Sequence, residues 1–215
     1  MTMNFTFSLR LAATLLMLSL SCSVFADPPE KSASPASEEP VKAPYLLSGA
    51  PTFDMTIASF REKYNSTNPK ETISEFRAIP DKSPETQLTR AASKINEDLY
   101  ASTALEKGSG KVKTIQITYL PIKGNDEKTA RTLAITYMAN VMRQFDSTLS
   151  PEQSINKINI LIEKGKGSPF FQEQCGALRY VISDNGEKGL TFAVEPIKLT
   201  LEPVPAAIND KKQSL

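Results

Sequence analysis

The chain has 215 residues, 25 Lys plus Arg against 24 Asp plus Glu, a formal net charge of +1, two cysteines, no tryptophan and no histidine. Without imidazole, the Ser-His and Cys-His nucleophile pairs are excluded, together with histidine ligation of zinc or haem. A near-neutral chain offers no global basic field for nucleic acid or anionic lipid.

Residues 1–26 carry one charge, Arg10, then an apolar run from Leu11 to Leu20, then Ser21, Cys22 and Ser23. This is the layout of a secretory signal, and the run is too short for a spanning helix, which needs roughly 18 apolar residues. Val24-Phe25-Ala26 presents an A-x-A-like site, so cleavage after Ala26 is expected to leave Asp27 as the first residue. The competing reading attaches a lipid to Cys22. A lipoprotein site wants a small side chain where Leu20 stands and a leucine where Ser19 stands, so soluble export is the stronger expectation. Cleavage removes Cys22 and leaves Cys175 alone, so a packed core rather than a disulfide must hold the mature chain. Cys175 is expected to be buried and inert.

Residues 27–44, "DPPEKSASPASEEPVKAP", are Pro-rich with Val41 their one large apolar residue, and are expected to form a disordered tether. A single domain is expected over 45–203 and a disordered tail over 204–215.

Within the domain, Ile57, Phe60 and Tyr64 recur at helical spacing behind Thr52 and Asp54 as caps, and Asn68-Pro69 ends the run. A short strand is expected over 73–80. Ser83-Pro84-Glu85 and Ser150-Pro151-Glu152 both place a hydroxyl at the N-cap, proline at N1 and an acid in the first turn. Leu88, Ala91, Ala92 and Ile95 predict a helix behind the first. Ile155, Ile158 and Ile162 predict one behind the second, with Gln153 at capping-box spacing. Between them Leu99–Leu105 and Ile115–Tyr119 read as a hairpin around "EKGSGK", although the first arm also reads as a continuation of the preceding helix. The strongest helix carries Ala130, Leu133, Ala134, Tyr137, Met138, Val141 and Phe145 on one face, whose aromatic and methionine positions read as core. It should form a helical hairpin with the Ser150 helix.

The last hairpin has Leu178, Tyr180 and Ile182 on one face of its first arm and Leu190, Phe192 and Val194 on one face of its second. A two-residue Asn185-Gly186 turn would place these faces on opposite sides; a three-residue Asp184-Asn185-Gly186 loop keeps them together and is the expectation. Beyond Glu195-Pro196 the parity moves to Ile197, Leu199 and Leu201, which predicts a bulge or a crossing to another partner. The fold class is α+β: one domain, an antiparallel sheet of hairpins packed against about four helices.

No motif assigns chemistry. "GSGK" at 108–111 resembles a phosphate-binding loop but lacks the upstream glycine and has Val112 in place of the hydroxyl, so it reads as a hairpin turn. "EKGKGS" at 163–168 reads as a helix C-cap. Asn65-Ser66-Thr67 matches a glycosylation acceptor, and no spacing singles out a pair of carboxylates.

"APYLLSGAPTFDMTIASFREKYNSTNP", "LTRAASKINEDLYASTALEKG" and "GALRYVISDNGEKGLTFAVEPIKL" resemble the YiiQ-like group of small exported bacterial proteins of unknown function, from about Ala43 to Leu201. The resemblance implies a Gram-negative periplasmic setting and a single domain, and supplies no activity. The reading reached is a periplasmic, non-catalytic binding or accessory module of the cell envelope. No catalytic, cofactor or metal residues are assigned. The expected partner is an envelope protein or a small ligand, with no nucleic acid and no transmembrane helix after processing. Two alternatives stand beside it, a carboxylate-based hydrolase or transferase without metal, and a lipid-anchored form through Cys22.

Overall fold

The computed structural model describes residues 43–47, 49–80, 87–122, 124 and 126–199. Seven strands form one sheet in the order β1-β2-β3-β4-β7-β6-β5, with every neighbouring pair antiparallel. They are β1 (Arg77–Ile79), β2 (Leu88–Lys94), β3 (Leu99–Glu106), β4 (Val112–Tyr119), β5 (Phe171–Cys175), β6 (Leu178–Asp184) and β7 (Leu190–Pro196). Three α-helices occur among the described residues: α1 (Ile57–Thr67), α2 (Glu127–Phe145) and α3 (Pro151–Gly165).

The registers fix which side chains share a face. Ser93, Ala101, Ile117, Phe192, Ile182 and Phe171 oppose one another in a continuous row from β2 to β5, and Leu99-Tyr119-Leu190 and Ile115-Val194-Tyr180 run beside it. This face is apolar, so it must be covered. α2 lies over β4 and α3 over β5 and β6, burying Met138, Val141, Met142, Ile158 and Leu161 against it. α1 packs on α2 through an aromatic group in which Phe53 and Phe60 lie 4.2 and 5.9 Å from the Phe145 ring, and Tyr64 6.4 Å from Tyr137.

The caps explain where the helices begin. Ser150 Oγ accepts from Gln153 N–H and Gln153 Oε1 accepts from Ser150 N–H, the reciprocal pair expected there, with Pro151 in the first turn. α1 is capped by Thr56, whose Oγ1 accepts from Ser59 N–H. Thr52 and Asp54 do not cap it, and Asp54 instead pairs with Lys111 at 2.8 Å.

The helix expected behind Ser83-Pro84 is strand β2, so the α-helices among the described residues number three rather than about four. The cap residues lie outside the described part of the chain. Leu88, Ala91, Ala92 and Ile95 fit a helical stripe, but two of the four are alanine and such a stripe would bury little area. As a strand the segment gains ladders on both edges, with β1 and β3, and tertiary pairing overrides a weak local preference. The β3–β4 hairpin forms as predicted around 107–111, where Glu106 N–H donates to Lys111 O at 2.8 Å.

The β6–β7 loop is Asn185–Gly189, five residues rather than three. The parity argument holds, because both odd lengths keep the apolar faces together. The observed register sets Ile182 opposite Phe192 and Tyr180 opposite Val194, whereas a three-residue loop would have set Lys188 opposite Ile182. Gly189, at φ 117°, closes the loop against β4: a Cβ there would lie 2.5 Å from Tyr119 O. After Pro196 the chain neither bulges nor crosses to another strand among the described residues. Ile197 N–H donates to Ala177 O at 2.9 Å and Leu199 is exposed, so the parity change marks the end of pairing; Leu201 lies outside the described residues.

Candidate functional site

The other face of the sheet carries none of the three α-helices of the described residues. Its central row runs Ser102-Gln116-Ala193-Val181-Gln172, and the row nearer the β5–β6 turn runs Gln174-Arg179-Glu195. Short and polar side chains on this face leave a low floor over β4, β7 and β6.

The segment Ala43–Pro51 crosses that floor. A 3-10 turn over Pro44–Leu46 and a turn closed by Ala50 N–H to Leu47 O, 3.1 Å, fold it on itself. Phe53 N–H to Val112 O, 2.7 Å, ties its end to β4. Tyr45 lines three concavities between this strap and the sheet. The largest, about 600 Å³, is bounded by Pro44, Leu47 and Pro51 above and by Lys113, Arg179 and Glu195 below. A second, about 280 Å³, lies over the Gln116-Ala193-Val181-Gln172 row beside Phe170, and a third, about 180 Å³, over Ala104 and Thr114.

A bulge places the first charge of this trench. Ala104 pairs with Thr114 but Leu105 with Val112, so Lys113 is the extra residue of β4. Bulges re-aim side chains, and this one sends a lysine under the strap. Lys113 is 5% exposed; its Nζ donates to Ala50 O at 2.7 Å and lies 4.0 Å from Glu106 Oε1. Arg179 and Glu195 supply the second and third charges from opposed positions on β6 and β7, with Nη1 donating to Oε2 at 3.3 Å. Glu195 is 3% exposed, and burial pushes its carboxyl above the usual range while Arg179 pulls it back. Lys198 adds a cation at the rim. In the neighbouring concavity Thr114 Oγ1 is buried with no hydrogen-bond partner among the described residues.

The residues singled out in the sequence lie elsewhere. Cys175 is half-buried rather than buried, on the helix-facing side of β5, where Lys157 Nζ lies 3.4 Å from Sγ and 5.0 Å from the Tyr180 ring centre. "GSGK" forms the β3–β4 turn, and "EKGKGS" contains the end of α3. Asn65 is occupied structurally, its amide accepting from Ile73 N–H at 2.8 Å and donating to Ile73 O at 3.0 Å. Ala26, Asp27 and Cys22 lie outside the described residues. Among the described residues no cluster of three or more His, Cys, Asp or Glu could hold a metal, and no helix is long and apolar enough to cross a membrane. Sequence reasoning missed Lys113, Arg179 and Glu195. The signal was Lys113 on the parity of Ile115, Ile117 and Tyr119, where alternation calls for an apolar residue; Arg179 and Glu195 fall on the polar parity and gave none.

No solved structure matches the chain. It is 54% identical over 167 residues to the Escherichia coli (strain K12) protein named "Uncharacterized protein YiiQ", covering 78% of this chain and 84% of that relative. The family model described as "Protein of unknown function (DUF1454)" matches residues 15–203. With most of its length matched by both, the chain belongs to the DUF1454 family.

Proposed function

We propose that this protein is exported to the periplasm through the signal at 1–26, is cleaved between Ala26 and Asp27, and acts there as a non-catalytic module that binds a small ligand on its open sheet face. The observation that supports binding is the trench of about 600 Å³ between strap and sheet, within the size range of small-molecule sites and holding buried charges. Glu195 is the one carboxylate among the residues lining that trench, whereas hydrolysis by paired carboxylates needs two. Another depression is lined by three acids, Glu97, Asp98 and Asp126; Glu97 pairs with Lys94 at 2.7 Å and Asp126 caps α2, so these two serve the fold.

Export is tested by fractionation and intact mass of the cellular protein. A periplasmic form starting at Asp27 agrees with the proposal; a cytosolic form retaining Met1 contradicts it, and a lipid-modified Cys22 terminus replaces it with the anchored form. Binding is tested by thermal shift against a panel of small acids, amines, sugars and peptides. A saturable stabilisation in the intact protein that is lost when the trench is blocked by Gln174→Trp, at an exposed position of its lining, supports the module reading, and no stabilisation by any class argues against it.

A further inference from the structure

We infer that the trench selects a small organic anion with an apolar body, its charged group held by Lys113 and Arg179. This rests on the reading of the open face as a ligand site and names the ligand's chemistry.

The charges lining the trench are unbalanced. Among its lining residues Lys113, Arg179 and Lys198 outnumber the one acid, Glu195, and Glu106, outside the lining, lies 4.0 Å from Lys113. A buried cation is costly unless paired and fully hydrogen-bonded. Lys113 has three N–H donors; Ala50 O takes one at 2.7 Å, and Glu106 at 4.0 Å is beyond hydrogen-bond reach. The guanidinium of Arg179 has five N–H donors, and its hydrogen bond among the described residues is the 3.3 Å contact from Nη1 to Glu195. A charged strand residue that served packing alone would show closed coordination. Here two cations that line one cavity make a single hydrogen bond each among the described residues, and a carboxylate or sulfonate has the acceptor geometry to take their further donors.

The walls set the rest of the ligand. Leu47 and Leu199 line the trench 54% and 66% exposed, with Pro44, Pro51 and Ile197 between them. Large apolar side chains left in water around a cationic floor match a molecule with one anionic end and one greasy end. A purely polar anion would leave these walls wet, and a neutral lipid would bring no charge to the further donors of Lys113 and Arg179. The bulge makes the arrangement specific, because without the extra residue position 113 would fall on the helix-facing side.

The test is a ¹⁵N-HSQC titration of the folded protein with octanoate, octan-1-ol and octylamine, three probes sharing one body and differing in head group. Octanoate is expected to shift the amides of Lys113, Gln174, Arg179 and Lys198, with octanol and octylamine weaker by about tenfold, the effect of one charge-assisted hydrogen bond. Lys113→Met should weaken octanoate by about tenfold while leaving octanol unchanged, and Lys113→Arg should restore it. If Lys113→Met fails to fold, the exposed Lys198→Glu reads the same charge with a smaller loss. Equal shifts from octanol or octylamine would overturn the anion inference and leave the binding site standing. No shift in the trench with any probe would overturn the inference and the small-ligand reading together.

Discussion

Arg179 and Glu195 oppose each other across the β6–β7 ladder, 3.3 Å apart, on the face of the sheet opposite α2 and α3. Glu195 is nonetheless as buried as the apolar core, because the strap roofs it. Removing one partner of such a pair leaves the other charge uncompensated. Arg179→Met is expected to destabilise by about 1–3 kcal/mol at pH 7, below the full cost of a broken buried pair because Glu195 can protonate. Adding Glu195→Gln should recover most of that loss. Urea denaturation of the single and double variants measures both; additive losses would show that the two residues do not act as a pair.

The raised carboxyl of Glu195 has a pH signature of its own. A folded-state value above the ordinary 4.5 means that the folded protein binds this proton more tightly than the unfolded chain. The contribution is fully present below 4.5 and is lost as pH rises through the folded value. Glu195→Gln should therefore remove a downward slope of stability with rising pH that the unaltered protein shows above 4.5. Identical slopes in the two proteins, read from thermal midpoints across pH 4 to 8, would contradict this.

Gly165 ends α3 against the sheet, where an added Cβ would lie 3.0 Å from Ile182 Cγ2 and 3.1 Å from Phe171 Cβ. Alanine gains about 1 kcal/mol of helix propensity. Both neighbours sit in the packed layer, and overpacking costs about 1–3 kcal/mol. Gly165→Ala should destabilise by about 1 kcal/mol net, and a rise in the thermal midpoint would show that α3 can lift without cost.

Phe192 stands in the middle of the apolar row, opposite both Ile117 and Ile182, with no exposed surface. Phe192→Ala should cost about 3–5 kcal/mol through the cavity it leaves. A change at an exposed position of the open face, Gln172→Ala, should stay within about 0.5 kcal/mol. The contrast, measured by denaturation, checks which face is core.

The helical layer and two hairpins were legible in the sequence because each rests on a local rule. Ser150, Pro151 and Gln153 define a helix start wherever they fall, and the seven apolar residues from Ala130 to Phe145 admit only one period. β2 was not legible, since Leu88, Ala91, Ala92 and Ile95 fit a helix and the pairing with β1 and β3 that decided the matter is non-local. The trench was illegible for the same reason. Lys113 joins it through a register shift against β3, and Arg179 and Glu195 meet only once β6 and β7 take their observed register. The five-residue loop that sets this register depends on Gly189 fitting against Tyr119, a contact with a strand far away in sequence.

The most direct test of the ligand-binding account is a crystal structure of the protein grown with octanoate. The account predicts the carboxylate within hydrogen-bond distance of Lys113 Nζ and Arg179, with the chain lying along Pro44, Pro51 and Ile197. Octanoate bound only away from the open face, or a trench closed by the strap with no room for a ligand, would contradict it.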